Sequence, residues 1–164
     1  MHATGHYGAA LLVYAPVGFV LVNLEPTLAL VGGAGVLVLA TVPDYDLRVP
    51  VVKHRGVTHT LLFVLAVSAL FGVVGWRLGQ GTYQPLGGPA TTAAFGFGIG
   101  LLGLGSHLLA DMLTPMGVAV FWPLSSKRYT LSVVRAANPV ANWGLFALGV
   151  FATAVVLVSA SAKF

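Results

Sequence analysis

Residues 91–113 read TTAAFGFGIGLLGLGSHLLADML. The stretch is long enough to cross a hydrocarbon core, which takes about 20 residues as a helix. Its only ionisable side chains are His107 and Asp111, four residues apart near its end. On an α-helix that spacing stacks both groups on one face. An imidazole and a carboxylate inside an apolar segment are costly unless partnered, so they mark a functional site by default. A metal ion is the partner best suited to both.

The surrounding chain agrees with a membrane setting. Of its 164 residues, 57% are hydrophobic and 7% charged, against about 25% charged in soluble domains. The mean hydropathy is +0.93. Such a chain cannot clothe itself in polar groups in water, so it is read as one integral membrane domain over residues 1–164. Cysteine is absent, which leaves His, Asp and Glu as metal ligands. The start carries no basic segment and no convincing small-residue cleavage site, so no cleavable signal peptide is expected. Basic residues are few and no aromatic-basic patch is present, so no nucleic-acid partner is expected.

Working outward, the apolar segments run from about Gly8 to Val22, Thr27 to Val42, Thr58 to Leu78, Thr91 to Leu113 and Val140 to Ser159. His6, Tyr7 and Asn23 lengthen the first. Thr58 or Gly56 is a candidate cap for the third, and Trp76 and Tyr83 suit an interfacial belt. The glycines of the fourth allow close helix approach in lipid. No strand precedes them, so they do not form a dinucleotide loop. Val118 to Pro123 is apolar but too short to span. The expected fold is therefore all-α: a polytopic bundle of about five transmembrane helices, with a short interfacial or re-entrant segment near 117–124.

Five spans place the N-terminus, the 43–57 loop and the 114–139 loop on one side. That side holds Arg48, Lys53, Arg55, Lys127, Arg128 and Arg135, while Arg77 and Lys163 lie opposite. The excess of Lys and Arg makes the first side, and the N-terminus, cytoplasmic. The same count collects all five histidines and all three aspartates at that face, leaving only Glu25 opposite. This clustering is the strongest functional signal in the sequence.

Neutral imidazole and carboxylate suit zinc, with manganese or iron as alternatives. The candidate ligands are His6 (favoured over His2), Asp44, His59, His107 and Asp111. Asp44 and Asp46 alternate if extended, so one can ligate while the other orients a histidine or acts as base. His54 and His59, five apart, read as a loop residue and a first-turn residue converging. Asp44, Asp46 and His54 are thus the candidate catalytic groups. Arg55, Lys127 and Arg128 are candidates for binding an anionic substrate group.

The combination of Pro43-Asp44-Tyr45-Asp46, His54-Arg55-Gly56-Val57-Thr58-His59-Thr60 and Ser106-His107-Leu108-Leu109-Ala110-Asp111-Met112-Leu113-Thr114-Pro115-Met116-Gly117 resembles the YdjM-type family of membrane-bound, metal-dependent hydrolases. Trp122-Pro123-Leu124-Ser125-Ser126-Lys127-Arg128 and the early histidine, aligned with His6, extend the resemblance over nearly the whole chain. It implies metal-dependent hydrolysis. The His-x-x-x-Asp pattern is also distantly similar to that of zinc-dependent phospholipase C and P1-type nucleases. The placement at headgroup depth beside basic residues points to a phosphate ester of a lipid or lipid-linked substrate. The rival expectations are a cation or proton transporter using the same cluster, and a non-catalytic membrane protein with a structural metal.

Overall fold

A computed structural model describes residues 1–50, 53–82, 84 and 86–161. Tyr83 and Lys163 lie outside the described residues. Five α-helices form the bundle: α1 Ala3–Leu24, α2 Pro26–Leu39, α3 Leu61–Leu78, α4 Pro89–Met112 and α5 Pro139–Ser161. All five segments are long and apolar enough to cross a membrane, provided α2 is taken through the turns that follow it, as Pro26–Arg48. The protein is an all-helical polytopic membrane bundle.

The ends of the helices follow local chemistry. At 14 residues, α2 is about 21 Å long, too short to span unaided. Pro43 stops it, because a proline lacks the amide that would bond back to Leu39 in a continuing helix. A 3-10 helix, Val42–Arg48, takes over and carries Asp44 and Asp46. The two aspartates are thus wound on a tight helix rather than alternating on extended chain. A second 3-10 turn, Val57–His59, precedes α3. The cap of α3 is Thr60, whose hydroxyl accepts from the Phe63 amide at 3.1 Å. Thr58 and Gly56 do not serve, because the 3-10 turn separates them from the helix and the Thr58 hydroxyl donates to Asp46. The helix breaker Pro26 sits at the first turn of α2, where a missing amide costs nothing, and Glu25 caps it.

Helix α4 is the organising element. Half of its membrane window is buried, against 11% for α5, and it packs on α1, α2 and α3. Its buried residues Gly96, Gly100, Gly103, His107 and Asp111 recur every three or four positions, a single continuous stripe. A methyl group on Gly100 would lie 2.6 Å from Ser68 Cα in α3, and one on Gly103 would lie 2.7 Å from Leu39 Cβ in α2. The missing side chains let α3 and α2 close against α4. The same stripe then delivers His107 and Asp111 to the place where those neighbours end. Below the site, Ala10, Tyr14, Val36, Leu39, Val64, Ile99, Leu104 and Leu108 form the core. The Tyr14 hydroxyl donates to the Ala29 carbonyl at 2.7 Å and ties α1 to α2.

Residues 114–138 fold over the site end of the bundle without regular helix. Val118 and Tyr129 exchange backbone hydrogen bonds of 3.1 and 2.9 Å, and the Leu61 amide donates to the Val120 carbonyl at 2.8 Å. Gly117 has φ +58°, and a methyl group there would lie 2.9 Å from Thr130 Cβ. Glycine alone adopts that turn without strain.

Candidate metal centre

Each histidine reaches the site from a different element. His6 lies one turn into α1, His59 in the 3-10 turn before α3, and His107 near the end of α4. All three are fully buried. The His6 and His107 rings stack, with centroids 3.8 Å apart. The start of α1 is held by Asn142 of α5. Its Oδ1 accepts from the His2 amide at 2.9 Å, and its Nδ2 donates to the carbonyls of Ala136 and Asn138.

Hydrogen-bond accounting then assigns the proton on two of the rings, His107 and His59. His107 Nδ1 lies 2.7 Å from the Ala40 carbonyl. A carbonyl only accepts, so Nδ1 carries the proton and Nε2 presents a lone pair. His59 Nδ1 lies 2.9 Å from the Thr58 hydroxyl and 3.3 Å from Asp46 Oδ2. Thr58 already donates its proton to Asp46 Oδ2 at 2.8 Å, so His59 Nδ1 is the donor. Its Nε2 therefore also presents a lone pair. The two Nε2 atoms face each other at 3.0 Å. In neutral rings that contact is repulsive, and it becomes favourable only when a positive charge, a proton or a metal ion, lies between them.

Two carboxylates complete the ring around that point. Asp44 Oδ1 is 3.5 Å from both His59 Nε2 and His107 Nε2, and Asp44 Oδ2 is 3.6 Å from His6 Nε2. Asp111 Oδ2 is 3.5 Å from His59 Nε2 and 3.7 Å from His107 Nε2. Asp111 Oδ2 and both ring nitrogens of His6 are buried without any hydrogen-bond partner. Unpaired buried polar atoms are costly and rare. Donors bound to one zinc at about 2.0–2.2 Å in tetrahedral array would lie roughly 3.3–3.6 Å from each other, close to the separations seen here. The residues present therefore fit a divalent metal: His6, Asp44, His107 and Asp111 offer donors close enough to share one ion, and His59 adjoins them through its contacts with His107, Asp44 and Asp111.

A supporting layer holds these donors. Asp46 is buried, with Oδ1 2.9 Å from His54 Nδ1 and Oδ2 accepting from the Arg55 amide and Thr58. It stands behind His59, on the far nitrogen, in the position of a carboxylate that fixes a ligand's tautomer. Arg55 is buried too, and its guanidinium donates to Asp111 Oδ1 at 2.7 Å, Thr114 Oγ1 at 3.0 Å and the Gly117 carbonyl at 3.2 Å. The Met1 amino group also donates to Asp111 Oδ1, at 2.8 Å. Arg55 has φ +55°, a left-handed backbone that a non-glycine residue adopts at a cost of about 1–2 kcal/mol. That conformation turns its amide to Asp46 while its side chain reaches Asp111.

The structure thus brings His6, Asp44, His59, His107 and Asp111 together and leaves His2 exposed. Asp46 stands outside the ring. His54 lies on the rim, its side chain 35% exposed and its ring edge-on to His59 at 5.3 Å. Arg55 faces the cluster and is held by three acceptors. Lys127 sits over the Tyr129 ring at 5.4 Å. Arg128 instead lines a cleft of about 590 Å³ with Lys53 and Arg55. Lys53, which lines that cleft, and the supporting residues Thr114 and Asn142 are ones the sequence reading did not single out for the site. A lone polar residue at the edge of an apolar run was the available signal for the last two.

The chain matches the family described as YdjM inner membrane protein over residues 1–163. It is 43% identical over 70 residues to the inner membrane protein YdjM of Escherichia coli (strain K12), and equally to that of Shigella flexneri. The aligned stretch covers 43% of this chain, which spans 30% of the length of the curated relatives it matches. No solved structure matches, and the distant likeness to phospholipase C and P1-type nucleases gains no support.

Proposed function

The chain belongs to the YdjM inner membrane protein family, and from that premise we propose that it is a metal-dependent hydrolase acting at the membrane surface on a phosphate ester of a lipid or lipid-linked substrate. Zinc is the favoured ion, with manganese or iron as alternatives. The site face, with the N-terminus, is cytoplasmic on this reading. The excess of Lys and Arg in the loops of that face supports the orientation.

One observation carries the reading. Two buried imidazole lone pairs face each other at 3.0 Å, ringed by two carboxylates and a third imidazole with no hydrogen-bond partner. A cation is the partner that such a donor set fits. When bound, a divalent metal supplies Lewis acidity and activates water near neutral pH. His6, Asp44, His59, His107 and Asp111 would hold it. Arg55 and Thr114 keep Asp111 turned inward, and Asp46 fixes the tautomer of His59.

Access and proton transfer favour chemistry over a purely structural ion. The Asp44 side chain is 25% exposed, whereas those of the other four donors are at most 1% exposed, so the ring opens on that side only. His54 stands at the opening, anchored through Nδ1 to Asp46 Oδ1. With Nδ1 donating to Asp46, Nε2 of the neutral ring presents a lone pair that can take a proton and pass it on, and Asp46 stabilises the ring while it is charged. Water adds to phosphorus as the ester oxygen leaves; His54 Nε2 takes the proton the water gives up and delivers it to the departing oxygen, so the ring ends neutral. Lys53 and Arg128 in the adjoining cleft supply charge for the phosphate.

The test is turnover of lipid phosphoesters by the purified protein in detergent. The expected result is activity abolished by a chelator, restored by zinc, and lost in His107→Ala. Activity that survives both chelation and His107→Ala overturns the proposal, as does inert metal-loaded protein across monoester and diester lipids.

A further inference from the structure

Two cavities share one wall at the site end of the bundle. The first is the cleft beside the cluster. Its lining includes Lys53, Arg55, Trp122, Ser126 and Arg128, and none of its lining residues is acidic. Arg55 is already engaged with Asp111, Thr114 and Gly117. Lys53 has no ion-pair partner among the described residues, and Arg128 makes only two long contacts of 3.4 Å, to the carbonyls of Met116 and Gly117. The second cavity is a groove of about 330 Å³ between the start of α3 and residues 120–124. It is lined wholly by apolar side chains, among them Leu61, Leu62, Leu65, Phe121, Trp122 and Leu124. Trp122 borders both spaces.

We propose that the two spaces form one amphiphile site: the anionic phosphate of a membrane lipid lies between Lys53 and Arg128, and one hydrocarbon chain of the same molecule lies in the groove along α3. This deepens the proposed hydrolytic function and rests on it for the chemistry after binding, but not for binding itself. The geometry argues for one occupant. A free phosphate has no use for the groove, and a bulk lipid chain has no use for uncompensated cations. The groove is held open by backbone bonds, since Leu61 donates to Val120 and the Val118–Tyr129 pair fixes the loop beyond it. Leu124, 93% exposed, sits on a loop and is left uncovered among the described residues. An exposed leucine on a loop beside an apolar groove, next to the start of a helix that enters the membrane, faces hydrocarbon. The cationic cleft begins where that hydrocarbon ends. At the back of the cleft, the Arg55 guanidinium touches Asp111, so a phosphate held there lies one residue from the cluster.

The test uses chelated full-length protein carrying Trp76→Phe and Trp143→Phe, which leaves Trp122 as the reporter, in phosphatidylcholine vesicles. Brominated phosphatidic acid is titrated against brominated phosphatidylcholine, and quenching of Trp122 is read. The expected result is half-quenching at a mole fraction lower by on the order of tenfold for phosphatidic acid. That preference should vanish in K53Q/R128Q, and Leu62→Gln should weaken quenching by both lipids. Native mass spectrometry of the otherwise unaltered protein with the same two lipids gives the same comparison should the tryptophan variants fail to fold. Equal quenching by both lipids, or a preference that survives K53Q/R128Q, overturns the proposal. Displacement by millimolar glycerol 3-phosphate as effective as displacement by unbrominated phosphatidic acid overturns the groove's part in it. Since no turnover is needed, binding without hydrolysis sinks the enzymatic reading alone. Hydrolysis without lipid preference sinks this one alone.

Discussion

Arg55 offers the sharpest quantitative test, because two roles for it predict opposite results. As a surface cation waiting for substrate, it would contribute to binding and little to stability. As placed, it is 5% exposed and donates to Asp111 Oδ1, Thr114 Oγ1 and the Gly117 carbonyl, and Asp111 is wholly buried. Removing one member of such a pair costs most where it strands the other charge, typically about 3–5 kcal/mol. Asp111→Asn should cost that much in chelated protein, because it strands Arg55, whereas Arg55→Met should cost less, because the Met1 amino group still pairs with Asp111 at 2.8 Å. The double variant should cost less than their sum, since Arg55 is no longer stranded, giving a coupling of about 1–3 kcal/mol. Arg55→Lys should recover little, because one ammonium cannot reproduce a planar fork over three acceptors. The assay is SDS-titrated unfolding in a mild detergent, followed by circular dichroism. Repeating it with zinc adds a sign: the ion gives Asp111 a positive partner beyond Arg55 and the Met1 amino group, so Arg55→Met should cost less with metal than without. Additive single variants, with coupling below about 0.5 kcal/mol, would refute the assignment of Arg55 as the residue that holds Asp111.

Asp46→Asn should weaken metal affinity by about 10–100-fold while stoichiometry is kept, whereas His107→Ala should lose stoichiometric binding; elemental analysis and calorimetry separate the two. Gly100→Ala should destabilise by about 1–3 kcal/mol, because the methyl would lie 2.6 Å from Ser68 Cα, while Gly98→Ala, with nothing within 4 Å, should be neutral or stabilising by about 0.5–1 kcal/mol. Thermal unfolding of the two variants side by side checks this. Cysteines placed at Ser126 and Gln80 should label from opposite sides of the membrane in spheroplasts, Ser126 from the cytoplasm.

The legible part of the molecule was the part written in scarcity. Ionisable residues are so few against this apolar background that counting spans was enough to put His6, Asp44, His59, His107 and Asp111 at one depth. The helical spacing of His107 and Asp111 carried their common face. What the sequence did not carry depends on tertiary approach. The left-handed backbone of Arg55 and its reach to Asp111 arise because the loop packs under residues 114–117. Nothing within Lys53-His54-Arg55-Gly56 signals that. Thr58 looked like a helix cap because its hydroxyl precedes an apolar run, yet Asp46, twelve residues earlier, claims that hydroxyl and moves the cap to Thr60. Asp46 and Asp44 were indistinguishable as letters. Their division of labour follows from the 3-10 winding that Pro43 imposes.

The same geometry weighs the transporter reading against the hydrolytic one. A cation crossing the bundle needs polar groups handed on through the middle of the membrane. Among the described residues, the buried polar groups deeper in α3 and α4 are Ser68 and Ser106, and each donates back to its own helix, to Val64 at 2.7 Å and Gly103 at 2.7 Å. Below the cluster the packed layer is Val36, Leu39, Val64, Ile99 and Leu104. Such a layer gives an ion no ligand and no water. The glycine stripe of α4 also argues for closure, since it exists to let α2 and α3 press against α4 where a conduit would have to run. On the proposed hydrolytic reading, a centre at one end of the bundle, above an apolar core and with Asp44 its most exposed donor, would take its substrate from the surface and return its product there.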